Sequence, residues 1–275
     1  ALEKTDMSDL DDYVRRFWTS AAAEVLIYGN YPADEVQQLS KMLEGVVSSA
    51  PAPTLPQLKV LKLAAGESVQ YPVTVPHDDS VVAWYLQGAG DTWPDKAATA
   101  LTVQVMSSGF FQELRTEQQL GYVVGAVNYS KADVPGLVLL VQPPVADANA
   151  VATAMQEFMQ EVMPGLDEAQ FERHKVSLIS DILRPDKNLN ERGEYYWQAI
   201  ARKEFDFAGR QALADAVKAL TLPDWKAYYD QVFLKQRHSL QVVAPGKWKH
   251  VPKGDFRVYD SAEAIKSGHA TYVIE

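Results

Sequence analysis

Cysteine is absent from all 275 residues. That excludes disulfide frameworks, thiol nucleophiles and cysteine-ligated zinc. It leaves the compartment open, because cysteine-free chains occur in the cytosol and in the periplasm. Histidine is scarce as well: His77, His174, His238, His250 and His269 are the whole set, and none has a second histidine four residues away. The zinc motifs H-E-x-x-H and H-x-x-E-H need that spacing, since it sets two imidazoles on one helix face toward one ion. The sequence therefore predicts no metal site in this chain. No apolar run reaches the ~18 residues of a membrane span, so none is expected. The opening ALEKTDMSDLDDYV is acidic and polar, unlike a signal peptide, and begins without methionine; it reads as the start of a fragment or a processed product. Basic charge is short too. With 26 Lys and Arg against 36 Asp and Glu the net charge is −10, which argues against a nucleic-acid partner. Half of that excess lies in residues 1–50, where nine acids meet four bases. Such a run reads first as a solvated helix face.

What is present is ordinary core-forming material, 47% hydrophobic and long enough for one large domain or two smaller ones. Apolar spacing predicts a helix over 8–18 with Ser8 as cap, a buried strand at 24–28 (EVLIY), and a helix over 33–47 with Val36, Leu39, Leu43 and Val46 on one face. The Pro- and Ser-rich run 48–57 reads as a linker. Strands are expected at 58–64, 69–75 and 81–87, then a helix over 94–106 capped at Asp91 or Thr92 with Pro94 in its first turn. A Ser-Ser-Gly break should separate it from a short helix at 110–119 that Gly121 stops. Strands 122–129 and 137–142 form a hairpin around Asp133-Val134-Pro135-Gly136. Helices follow at 147–162, 167–183, 190–203, 209–219 and 222–233, with caps at Asp147, Asp167, Asn190, Gly209 and Thr221, before a last strand at 239–244. The tail after residue 247 is weakly patterned. This order implies an α+β fold, a mainly antiparallel sheet covered on one side by helices.

A long-period repeat is visible. Tyr13 and Phe17 precede a strand and Gly29 as Tyr229 and Phe233 precede a strand and Gly246, 216 residues later. A period of that length is a whole domain. Residues 1–50 thus read as the C-terminal end of one α/β domain, 51–57 as linker, and 58–275 as a complete last α+β domain.

Phosphate and hydrolase motifs are missing. Gly88-Ala89-Gly90 lacks the Lys-Ser/Thr of a phosphate loop, and no G-x-S-x-G occurs. Glutamates recur at helical spacing in Glu113/Glu117, Glu157/Glu161 and Glu168/Glu172, best read as exposed helix faces. The most distinctive segment is 110–122, FFQELRTEQQLGY. It should present Phe110, Phe111 and Leu114 to a core and hold Arg115 and Tyr122 at the join of a helix and a strand. A guanidinium and a phenol so placed could donate to a peptide carbonyl or to the oxyanion formed on its attack. The residues alone favour the plainer alternative, an ion pair at Arg115 and a half-buried sheet residue at Tyr122.

Here a resemblance becomes specific. FFQELRTEQQLGYVVG is similar to the F-x-x-L-R-T-x-x-Q-L-G-Y signature in the last domain of the pitrilysin and insulin-degrading-enzyme family of zinc metallopeptidases. LIYGNYPADEVQQL resembles the end of that family's third domain, and HKVSLISDILRPDKNLNERGEYYWQAIARKEFDF its long helical stretch, so the likeness runs from about residue 10 to 245 and looks most like the bacterial members. The resemblance implies four similar domains in two halves that close on a peptide, the zinc lying in the N-terminal half and no cofactor in this chain. It implies that Arg115 and Tyr122 hydrogen-bond the substrate backbone near the scissile bond, with Tyr122 also helping to hold the tetrahedral intermediate. The partners implied are the N-terminal zinc-bearing half and peptide substrates, with no nucleic acid and no membrane. The compartment implied is the periplasm. The chain alone is expected to cleave nothing. The alternative is a non-catalytic structural or binding module of the same fold, as some members are.

Overall fold

The computed structural model describes residues 5–21, 23–45, 59–144, 146–202, 205 and 207–273. The expected linker and Val46 lie outside them. The chain forms two compact units, Ala1–Gln57 with Pro185–Phe205, and Leu58–Arg184 with Asp206–Glu275. Among the described residues no helix is long and apolar enough to cross a membrane.

In the first unit, α1 (Met7–Ser20) starts earlier than expected. Asp6 rather than Ser8 is its cap, because the Asp6 carboxylate accepts from the Ser8 and Asp9 amides at 2.8 and 3.0 Å while its own amide donates to Asp9 at 3.1 Å. That reciprocal pair satisfies donors a lone serine would leave open. Helix α2 (Ala33–Glu44) follows Pro32 and buries no residue. Residues 24–28 are not a buried strand: they run without a ladder partner among the described residues, and Val25 is about half exposed. An apolar run becomes a strand only where a neighbour takes its backbone groups. Tyr28 instead meets Tyr196 edge-on at 5.2 Å, on α6 (Leu189–Ala201). Asn188, not Asn190, caps α6, accepting from the Glu191 amide at 2.9 Å.

The second unit is built on six strands. In chain order these are β2 (Ser68–Pro72), β3 (Val81–Gln87), β4 (Val123–Asn128), β5 (Gly136–Gln142), β6 (His238–Ala244) and β7 (Arg257–Val258), and they lie in the spatial order β4-β5-β3-β6-β2-β7. The β4–β5, β5–β3 and β3–β6 pairings are antiparallel, and β2 pairs in parallel with both β6 and β7. A separate antiparallel ribbon joins β1 (Lys59–Lys62) to β8 (Ala270–Val273). The tail therefore adds β7, α9 (Ala262–Gly268) and β8, none of which its weak pattern suggested.

One sheet face carries the core. Val82, Trp84 and Leu86 of β3 alternate inward, as do Leu137, Leu139 and Val141 of β5. They meet α3 (Trp93–Phe111) and α4 (Ala148–Val162), with α5 (Glu168–Ile182), α7 (Gly209–Ala219) and α8 (Leu222–Tyr228) packed outside. The expected α+β architecture, an antiparallel-dominated sheet under helices, is thus present. Trp225 and Tyr229 are fully buried; Trp225 Nε1 donates to Thr102 Oγ1 at 3.1 Å, and the Tyr229 hydroxyl donates to the Met159 carbonyl at 2.7 Å. A smaller cluster of Leu63, Val69 and Ile265 occupies part of the opposite face.

Thr92, Asp147, Asp167 and Thr221 cap their helices as expected, and Pro94 sits in the first turn of α3. Helix α7 differs: it follows Ala208, with no side-chain cap. The Ser107-Ser108-Gly109 break does not occur, and α3 runs through it to Phe111. Met106 and Phe110 are buried on either side, and Gly109 lies against the Phe158 ring without ending the helix.

Candidate functional site

Helix α3 ends in a π-helical turn, Gln112–Glu117, instead of a second short α-helix. The wider turn inserts a residue and lets Leu114 reach the core, fully buried beside Phe110. Phe111 does not join them. It is 43% exposed and lies under Arg115, whose guanidinium carbon is 5.1 Å from the ring centroid.

The chain then leaves the helix through Gln119, in the left-handed region at φ 52°, while the Leu120 amide donates to the Leu114 carbonyl at 2.9 Å. Next comes the tightest position in the segment. A Cβ on Gly121 would lie 2.3 Å from the Gln142 carbonyl oxygen and 2.8 Å from its carbon. Only glycine lets the start of β4 lie this close to the end of β5. Gly121 therefore does not stop a helix; it seats a strand.

These constraints bring Arg115 and Tyr122 together. Arg115 Nε donates to the Tyr122 carbonyl at 3.4 Å, and the Tyr122 side chain is 80% exposed. No carboxylate among the described residues pairs with Arg115, which removes the ion-pair reading, and Tyr122 is not half-buried sheet packing. The pair is a platform: a guanidinium held from behind by the Phe111 ring and by the backbone carbonyl of Tyr122, the residue whose phenol is exposed. Both are donors that suit a carbonyl oxygen gaining negative charge.

Four glutamates stand nearby. Glu113 is held above the ordinary carboxylate range, first by partial burial and then by Glu161, Glu117 and Glu157. Two of the helix-spaced pairs thus converge, while in the third Glu172 pairs with Lys175 at 2.9 Å. Among the described residues no three His, Asp or Glu are arranged to hold a metal ion. The sequence pointed to Arg115 and Tyr122 but not to Gly121 or Gln119, whose roles depend on the neighbouring strand and an unusual turn.

Comparison with known proteins gives the following. A family model described as PQQ synthase PqqF-like, C-terminal lobe domain 4, matches residues 101–197. Insulin-degrading enzyme of Drosophila melanogaster is 24% identical over 257 residues, covering 89% of this chain and 26% of that protein. The crystal structure of pitrilysin superposes with a TM-score of 0.86 at 18% identity, covering 100% of this chain and 30% of that one. The peptidase M16 inactive domain from Pseudomonas fluorescens gives a TM-score of 0.57 at 14% identity, covering 84% of this chain and 54% of that one. The chain spans about a quarter of the length of the curated relatives it matches. The resemblance read from the sequence, to the C-terminal part of pitrilysin and insulin-degrading enzyme, holds in both sequence and fold.

Proposed function

We propose that this chain, which resembles the C-terminal part of pitrilysin-type zinc metallopeptidases, is the substrate-holding, non-zinc portion of a metalloendopeptidase that encloses peptides between two halves. The observation that carries the reading is the Arg115–Tyr122 platform: two donors, one fixed by a π-turn and one on a glycine-seated strand start, with no acidic partner among the described residues. The domain reading goes with it, residues 1–50 ending a third domain and 58–275 forming the fourth, though 185–205 group with the first unit. Exposed apolar residues on α1, among them Tyr13, Phe17 and Trp18, fit a surface that the rest of the parent covers.

In the assembled enzyme the zinc of the other half supplies an activated water at neutral pH. The work of this chain is at the substrate carbonyl. Arg115 donates its remaining N–H groups to a backbone carbonyl beside the scissile bond and fixes the peptide's register. The Tyr122 hydroxyl donates to the carbonyl oxygen as it becomes an oxyanion. Because that charge develops only on attack, Tyr122 acts more on turnover than on binding. Placement in the periplasm is part of the proposal and rests on resemblance alone.

The test is cleavage of an insulin-sized peptide by this chain alone and after mixing with a zinc-bearing N-terminal half, with and without chelator. Silence alone and chelator-sensitive cleavage on mixing support the reading. Cleavage by the chain alone refutes it. Silence after mixing, with association of the halves shown, selects the second reading, a non-catalytic module, which the likeness to a domain named inactive favours.

A further inference from the structure

The face of the sheet away from α3 and α4 is unusually apolar. On it, β3 presents Ala83 and Tyr85, β5 presents Val138, and β6 presents Leu240 and Val242, all partly exposed. Strand β1 stands over these positions, and a cleft of about 530 Å³ remains between the two. A cleft of that size takes a few apolar side chains.

The cleft is built, not incidental. Gln87 ties β1 down: its Oε1 accepts from the Leu63 amide at 3.0 Å and its Nε2 donates to the Leu61 carbonyl at 2.8 Å. The hydroxyl end of the Tyr85 ring lies against Gly136, where a Cβ would come within 2.5 Å of it. Tyr129 meets Tyr85 edge-on at 5.8 Å and closes one end. Among the described residues the charged ones of the lining are two lysines, Lys59 and Lys131, the latter with Nζ 4.2 Å from the Tyr129 ring centroid. In a chain of net charge −10, an apolar cleft whose charged residues are both cationic selects an occupant that is apolar with carboxylates beside it.

Its place relative to the platform matters. Tyr122 precedes β4 and Tyr129 follows it, so the two are separated by one strand's length, roughly 24 Å at strand rise. Val123 and Val127 are exposed and, by alternation and by the pairing of Val127 with Val138, share the cleft's face. An apolar track on a sheet edge thus joins platform to cleft.

We propose that this cleft is an anchor subsite for adjacent large apolar residues of an extended peptide, flanked by acidic residues that meet Lys59 and Lys131, about seven residues along from the bond held at Arg115 and Tyr122. The inference rests on the reading that the platform holds peptide.

The experiment uses this chain and a short fluorescein-labelled peptide carrying Leu-Phe followed by two glutamates, with a twin in which lysines replace the glutamates. Anisotropy should show saturable binding of the acidic peptide and binding of the twin weaker by roughly tenfold, with the gap shrinking in high salt. Lys59→Glu with Lys131→Glu, both exposed, should invert the preference. Ala83→Leu fills the cleft on the uncovered face; it should weaken the acidic peptide by roughly fivefold while thermal melting is unchanged. Arg115→Ala with Tyr122→Phe should leave this binding intact. If that double variant abolishes binding and Ala83→Leu does not, the anchor is wrong and the platform reading stands. If the anchor variants act but the platform variants do not alter cleavage in the assembled enzyme, the platform reading is wrong instead. Equal binding of the two peptides overturns the anchor. So does binding of dodecanoate without peptide, which makes the cleft a fatty-anion site. A dimer that Ala83→Leu abolishes, with no peptide bound, overturns it in favour of a second copy.

Discussion

Replacing Gly121 by alanine tests the argument that a close approach of two strands sets the platform. The new Cβ would lie 2.3 Å from the Gln142 carbonyl oxygen, 2.8 Å from its carbon and 3.2 Å from the Pro143 nitrogen. Comfortable contact begins near ~3.5 Å, so the start of β4 must retreat by about 1 Å. Both neighbours are backbone and cannot rotate away. Overpacking of this kind costs about 1–3 kcal/mol, against which alanine gains about 0.5 kcal/mol by restricting the unfolded chain. The net loss of roughly 0.5–2.5 kcal/mol should lower the melting temperature by about 1–10 °C in a domain of this size. Gly125→Ala is the internal control. There the Cβ would sit 3.8 Å from a Val127 methyl, an ordinary contact, and the same entropic gain applies without the clash. Thermal melts followed by circular dichroism compare the two. Gly121→Ala melting level with or above Gly125→Ala would refute the close-approach account.

Four further outcomes follow from the same reasoning. Tyr122→Phe in the assembled enzyme should lower kcat by roughly a hundredfold with little change in KM, and equal constants for variant and wild type would remove its role as an oxyanion donor. Tyr229→Phe removes the buried hydroxyl bond to the Met159 carbonyl and should cost about 1 kcal/mol by urea unfolding. Asp167→Ala removes a capping box at α5 and should cost about 1 kcal/mol, while Gln170→Glu, which keeps the reciprocal bond, should melt close to wild type. Glu113 is raised above its unfolded value, so its charged form is disfavoured in the folded state and stability falls as pH rises through the carboxylate range. Glu113→Gln should therefore be more stable than wild type at neutral pH, and that gap should close as pH drops below the ordinary carboxylate value; a pH-independent difference would sink the attribution.

Local physics was legible where the residues act on near neighbours. Asp147, Asp167 and Thr221 cap helices because their side chains reach amides three residues on, and alternation in β3 and β5 fixed which side chains enter the core. Arg115 and Tyr122 were legible by family likeness, since a spacing of seven by itself states no geometry. Three misread segments depended on a distant partner, whereas the caps at Asp6 and Asn188 turned on bonds two or three residues away. Residues 24–28 carry strand composition yet lack a ladder among the described residues. Ser107-Ser108-Gly109 reads as a break but stays helical because Phe110 and Phe158 lock α3 against α4. The tail yields β8 only because β1, some two hundred residues earlier, offers an edge.

By itself the sequence determined the alternation of β3 and β5, the helix caps at Thr92, Asp147, Asp167 and Thr221, and the absence of thiol chemistry, because each follows from residue chemistry or from spacing within a few positions. Tertiary structure alone decided that Gly121 seats a strand and that an apolar sheet face beneath β1 keeps a cleft flanked by lysines. Those depend on which backbones approach one another across the sheet, and no local pattern encodes an approach between segments far apart in the chain.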